Sequence, residues 1–219
     1  MPNAKDMTTT AAAAARIGVS GAEASLPGLI TAASSALAEL LRYPVERREG
    51  VEESVAGQGG RYLWLESGAI QSLASISVGG SLVSPSLYAL DGREGARRGR
   101  IVARGSYSWP FTGEWTGGVS PTPLRAYDTG EIIVTFTSGW VTPGQVALGT
   151  YETSDMPAEL EQAALEVVTA WHAGAGRDSR VTSMATGDAS VSWASGDGGA
   201  PPLPLAARAL VEPYKRPRR

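Results

Sequence analysis

The order of elements is set by the stretch from Asp155 to Trp193. It opens with Met156-Pro157-Ala158-Glu159-Leu160-Glu161-Gln162-Ala163-Ala164-Leu165-Glu166-Val167-Val168-Thr169-Ala170-Trp171-His172 and continues through Val181-Thr182-Ser183-Met184-Ala185-Thr186-Gly187-Asp188-Ala189-Ser190-Val191-Ser192-Trp193. In the first part Leu160, Ala164, Val167, Val168 and Trp171 recur at helical spacing, while Glu159, Glu161, Gln162 and Glu166 fall toward solvent. The acidic residues crowd the start, where the helix dipole favours them. Gly174-Ala175-Gly176 ends the helix, and a short polar β-hairpin over 181–194 follows.

Working upstream, Leu26, Leu29, Ile30, Ala33, Leu37, Leu40 and Leu41 form a second apolar stripe. Ser25 suits the N-cap, Pro27 the first turn, and Tyr43-Pro44 the end, because proline disfavours a helical residue before it. A last short helix is expected over 203–211. Between the first two helices the pattern changes. Residues 61–65, 69–78, 87–90, 100–103 and 131–136 read as strands, with Ile70, Ala74, Ile76 and Val78 on one face. Gly79-Gly80 and Asp91-Gly92 read as hairpin turns. The segment 105–128, with Trp109, Phe111 and Trp115, reads as a projecting loop or long hairpin.

The expected fold class is therefore α+β: a small helical body (25–49 plus 155–211) with the hairpin at 181–194, and an inserted antiparallel β domain at 51–150. Residues 1–24 are expected to be a flexible arm and 212–219 a basic tail.

Composition narrows the chemistry. The 219 residues carry 19 Lys+Arg against 22 Asp+Glu, a formal charge of -3, which argues against a free nucleic-acid binder. The absence of cysteine excludes disulfides, thiolate metal sites and cysteine nucleophiles. His172 is the one histidine, and it has no cluster of partners with which to complete a zinc site. No nucleophile elbow, P-loop or dinucleotide glycine pattern is present, and Asp188 and Asp197 lack calcium-loop spacing. No catalytic residue, metal or cofactor is expected. Ala11 to Ala15 is too short, and Arg16 too close, for a secretory core; no apolar run nears the roughly 20 residues of a spanning helix, so no membrane contact is expected.

The ordered set of pieces resembles the head-tail connector (adaptor) family of tailed bacteriophages over roughly 25–215. Its marks are Leu29, Ile30, Ala32, Ala33 and Leu37 in the first helix, Tyr62-Leu63-Trp64-Leu65, and the run Ile70 to Val78. Ile133 to Trp140, the Met156-Pro157 helix, the Thr186-Gly187-Asp188 hairpin and the closing Tyr214-Lys215-Arg216 complete them. The resemblance implies a homo-oligomeric ring, commonly a dodecamer, in the neck of a virion assembled in the host cytoplasm. Its implied partners are the portal protein, neighbouring copies and the next neck protein, stopper or tail terminator. Double-stranded DNA would pass through without sequence-specific binding.

On that reading Tyr214, Lys215, Arg216, Arg218 and Arg219 form an arm that docks on the portal. Trp109, Phe111 and Trp115 are candidate contacts to a neighbour or the tail, since aromatics carry much interface energy. The segment 105–128 is longer and more aromatic than the family pattern, which leaves a stopper or other neck role open. From another class, the tryptophan-bearing middle would suit a glycan-binding β module.

Overall fold

In the computed structural model, residues 2–21, 23–110, 131–174, 183–186, 189–192 and 202–215 are described. The fold class is α+β, as expected. The chain divides into two compact units: Met1–Leu37 with Thr142–Pro213, and Ala38–Val141 with Tyr214–Arg219.

The first unit is helical. Its elements are α1 (Thr10–Ile17), the start of α2 (Leu26–Leu41), α4 (Pro143–Ala147), α5 (Ala158–Gly174) and α6 (Leu205–Val211). The short α3 (Gly92–Arg97) belongs to the other unit. The predicted stripes are the buried ones: Leu26, Ile30, Ala33 and Leu37 on α2, and Leu160, Ala163, Ala164, Val167 and Val168 on α5. Ala207 and Val211 of α6 are also buried, and α1 and α6 both pack on α5. The backbone at Ser183–Thr186 (β8) and Ala189–Ser192 (β9) pairs as the expected antiparallel hairpin.

Residues before Ala24 depart from the flexible arm expected of them. Thr9 caps α1 by accepting from the Ala12 N–H, and Gly18 closes it in the left-handed conformation. Met7, Ala13 and Ala14 are buried. Alanine gives little apolar periodicity, but its small side chain lets two helices approach closely. Pairing with α5 thus fixes a segment that reads as featureless.

The same segment runs beside a second unexpected element. Thr142-Pro143-Gly144-Gln145, assigned to the β region, is a capping box: the Thr142 hydroxyl accepts from the Gln145 N–H and the Gln145 side chain accepts from the Thr142 N–H.

The second unit is built from two antiparallel sheets. Strands β1 (Arg48–Val55), β7 (Ile132–Ser138), β3 (Ile70–Val78) and β4 (Ser81–Leu82) form one, in the order β1-β7-β3-β4. The other has the order β2-β6-β5, from β2 (Tyr62–Trp64), β5 (Tyr88–Leu90) and β6 (Arg100–Ala103). Ile76, Ile132, Val134 and Phe136 of the first sheet share one core with Leu63, Tyr88, Ile101 and Ala103 of the second. Burial of each large side chain stabilises by about 1.5–3 kcal/mol.

Three details correct the sequence reading. Register shifts between Ile70 and Ser72 and between Leu73 and Ser75 break the strict alternation of β3, so Leu73 joins the core and Ala74 is exposed. Asp91-Gly92 is not a two-residue hairpin, because Gly92 opens α3 (Gly92–Arg97) before the chain returns as β6. The Glu-rich β1 carries too little apolar alternation to be recognised, as befits an edge strand protected by charge.

Candidate assembly surfaces

The C-terminal segment expected to act as an arm begins on an anchor. Tyr214 is only 5% exposed. Its ring meets Trp140 edge-on at 5.9 Å between centroids, and the Arg97 guanidinium carbon lies 4.7 Å from its centroid. The Tyr43 hydroxyl donates to the Tyr214 carbonyl oxygen at 2.7 Å in a buried bond. Burial pushes the Tyr43 hydroxyl pKa well above its ordinary value, the nearby Arg97 only partly offsetting it.

Local backbone geometry makes this cradle. β7 is followed by Gly139, whose φ of +76° favours glycine, and a Cβ there would collide with the Glu46 carbonyl oxygen. The turn lets Trp140 exchange backbone bonds with the 45–47 segment: its N–H reaches the Val45 carbonyl at 2.8 Å, and its carbonyl accepts from Arg47 at 2.7 Å. Tyr43 and Trp140 are thereby brought to 6.2 Å.

The other candidate residues fall in different places. Lys215, half-buried, follows the anchor, while Arg216, Arg218 and Arg219 lie outside the described residues, as do Phe111 and Trp115. Trp109 is 1% exposed, packed against Tyr88 and Tyr107 in the β core. The structure thus corrects its assignment to a projection: its indole packs against Tyr88 of β5 and against Tyr107, which follows β6, and is buried.

Sequence reasoning missed a more open surface. Leu63 and Leu65 point into the core, so alternation turns Tyr62 and Trp64 to the opposite face of the three-stranded sheet. Arg100 stands across from Trp64 in the ladder, with its guanidinium carbon 5.1 Å from the Tyr62 centroid and 5.4 Å from that of Trp64. Asp91 forms an ion pair with the same guanidinium. Tyr62 is 45% exposed and the Arg100 side chain 32%. The available signal was the Tyr-x-Trp alternation; the arginine partner, 36 residues further on from Trp64, becomes visible only once the strand register is known.

His172 lies 3.1 Å from the Glu23 carboxylate. The Ser25 hydroxyl, expected to cap α2, donates to the same carboxylate at 2.6 Å, and these contacts hold the Glu23 pKa below its usual value, the serine bond most strongly. Among the described residues no group of three or more His, Cys, Asp or Glu could hold a metal ion. Among those residues no helix is long and apolar enough to cross a membrane.

No family model and no curated protein sequence matches the chain. Solved structures do. A chain of the neck of the native GTA particle, computed with C12 symmetry, matches with TM-score 0.53 and 15% identity, covering 100% of this chain and 93% of that one. A chain of the neck of the empty GTA particle, computed with C6 symmetry, matches with TM-score 0.54 and 17% identity over 98% and 92%. A chain of the virion of the native gene transfer agent particle gives 0.54 and 15% over 98% and 92%. These neighbours accord with the head-tail connector resemblance, and at this identity the likeness is one of fold: the chain is an α+β protein folded like chains of a gene transfer agent neck.

Proposed function

We propose that this chain is a structural neck protein of a phage-like particle, an adaptor that repeats as a ring between the portal and the next neck or tail protein. The observation that carries this reading is the likeness of nearly the whole chain to chains in necks computed with C12 and C6 symmetry. Partial likeness would fit one common module; likeness over both units fits a shared role. Twelve copies are the expected number, with DNA passing through the ring and the cationic tail after Tyr214 meeting the portal.

Two features of the chain support a static part. Two of its aromatic clusters are spent internally, Trp109 in the core and the Tyr43–Trp140–Tyr214 cradle. Its charge of -3, multiplied around a ring, disfavours tight gripping of DNA.

The test is to image particles that contain the protein by cryo-electron microscopy and to measure binding of the purified chain to purified portal rings. The reading expects density for this fold next to the portal and binding that weakens with salt. Particles with intact necks that lack the chain would overturn it. A stopper would instead bind the tail-side neighbour and not the portal.

A further inference from the structure

We propose that the outer face of the three-stranded sheet is where a second copy of this chain docks, presenting its acidic helical unit. This rests on the ring reading above and names the surfaces that would close such a ring.

The face has the composition of a binding centre. Tyr62, Trp64 and Arg100 belong to the residue types that dominate interface energy. They are also held in place before any partner arrives, because Asp91 and the two rings fix the Arg100 guanidinium. Arg104 continues the outward alternation just past β6 and is exposed, as is Arg61 before β2. Among the described residues, Tyr62 at 45% exposure is one of the few large apolar side chains left open.

Charge identifies the occupant. Arg100 and Arg104 lie on the sheet face, with Arg61 exposed beside it, whereas the helical unit holds five Lys and Arg against eleven Asp and Glu, a formal -6. From Thr142 to Gly176 there is no lysine or arginine, and Glu152, Asp155 and Glu159 of that stretch are exposed.

A ring built by rotation needs two different patches, one meeting the other on the next copy. Basic-to-basic and acidic-to-acidic contacts repel, so each contact joins the arginine-bearing sheet face of one copy to the acidic unit of another.

Two full-length variants test this by sedimentation at low and high salt, with circular dichroism confirming the fold. Tyr62→Ala/Arg104→Glu removes the sheet face, and Glu152→Lys/Glu159→Lys removes the acidic one. The wild type should self-associate at low salt and weaken as salt rises. Each variant alone should lose roughly tenfold or more in self-affinity. Mixed together they should pair and stop at two chains, since only one intact face of each kind remains.

Assembly of either variant like the wild type would overturn the proposal while leaving the ring reading intact. A wild type that stays monomeric at low salt would also overturn it, whatever the particle images show. If the sheet-face variant kept self-association but lost retention on double-stranded DNA, the face would belong to nucleic acid instead. Failure of the ring reading itself shows separately, as a particle neck without this chain.

Discussion

At Gly139 one residue decides whether the aromatic cradle exists. Its positive φ and the approach of the Glu46 carbonyl leave no room for a methyl group. Gly139→Ala should therefore cost about 3 kcal/mol or more, strain and collision together. Gly80 also has a positive φ, +79°, but nothing lies within 4 Å of its would-be Cβ. Gly80→Ala should cost only about 1 kcal/mol. Denaturant titration of the two variants measures the difference, and equal losses would mean the close approach at Gly139 is unimportant.

Tyr43 offers a second test at the same scale. Removing its hydroxyl leaves the buried Tyr214 carbonyl without that donor, so Tyr43→Phe should cost about 1–3 kcal/mol near neutral pH. The sign of its pH effect follows from the raised pKa. Above the ordinary tyrosine value of 10.0 the unfolded chain gives up this proton while the folded one keeps it. Folded protein then binds more protons, and stability falls with rising pH by up to about 1.4 kcal/mol per unit. Stability curves from pH 8 to about 11.5 should show this loss in the wild type and a shallower one in Tyr43→Phe. Parallel curves would mean the hydroxyl titrates as if exposed.

Among the elements, the N-terminal segment shows where reading a sequence reaches its limit. The stripes on α2 and α5 were legible because leucine and valine at helical spacing have one obvious use. So was β7, whose buried Ile132, Val134, Phe136 and Ser138 alternate without a break. Residues 2–8 give no such signal, since what fixes them is polar and distant in sequence. Asp6 accepts from the Asn3 N–H at 2.7 Å and from the Thr31 hydroxyl at 2.8 Å. The Met7 N–H reaches the Ser34 hydroxyl at 2.9 Å, and the Thr142 hydroxyl donates to the Ala4 carbonyl at 2.6 Å. Hydrogen bonds between residues 25 to 138 positions apart leave no periodicity to find.

The candidate surfaces divide on the same line. Tyr62 and Trp64 were readable as alternation, whereas the Arg100 contact and the burial of Trp109 and Tyr214 depend on strand register and on where the chain returns. Asp6→Ala removes two bonds to a carboxylate that is 4% exposed and should cost about 2–4 kcal/mol. For a domain of this size that corresponds to a melting-point fall of about 5–15 °C by calorimetry. A change within error would mean the segment is dispensable and behaves as the flexible arm its sequence suggests.

Over the whole molecule, the C-terminus has two parts with different expected roles. The chain leaves the helical unit after Pro213 and re-enters the β unit at Tyr214. The anchor is thus structural, while the docking role proposed for the tail falls to Lys215, Arg216, Arg218 and Arg219. Residues 215–219 reach at most about 18 Å from Tyr214 when extended, so docking by Lys215, Arg216, Arg218 and Arg219 would happen near the Tyr43–Trp140 cradle. Truncation separates the two roles. Removing 215–219 should leave thermal stability within about 0.5 kcal/mol of the full chain, because Tyr214 stays in place. It should weaken binding to purified portal rings and flatten the salt dependence of that binding, since four arginines and lysines are lost. Removing 214–219 should add a loss of several kcal/mol, from the buried ring, the Trp140 contact and the Tyr43 bond together. Binding to portal rings that survives the shorter truncation unchanged would move the docking role from the tail to another surface, while unchanged stability after the longer one would show that the anchor does not hold.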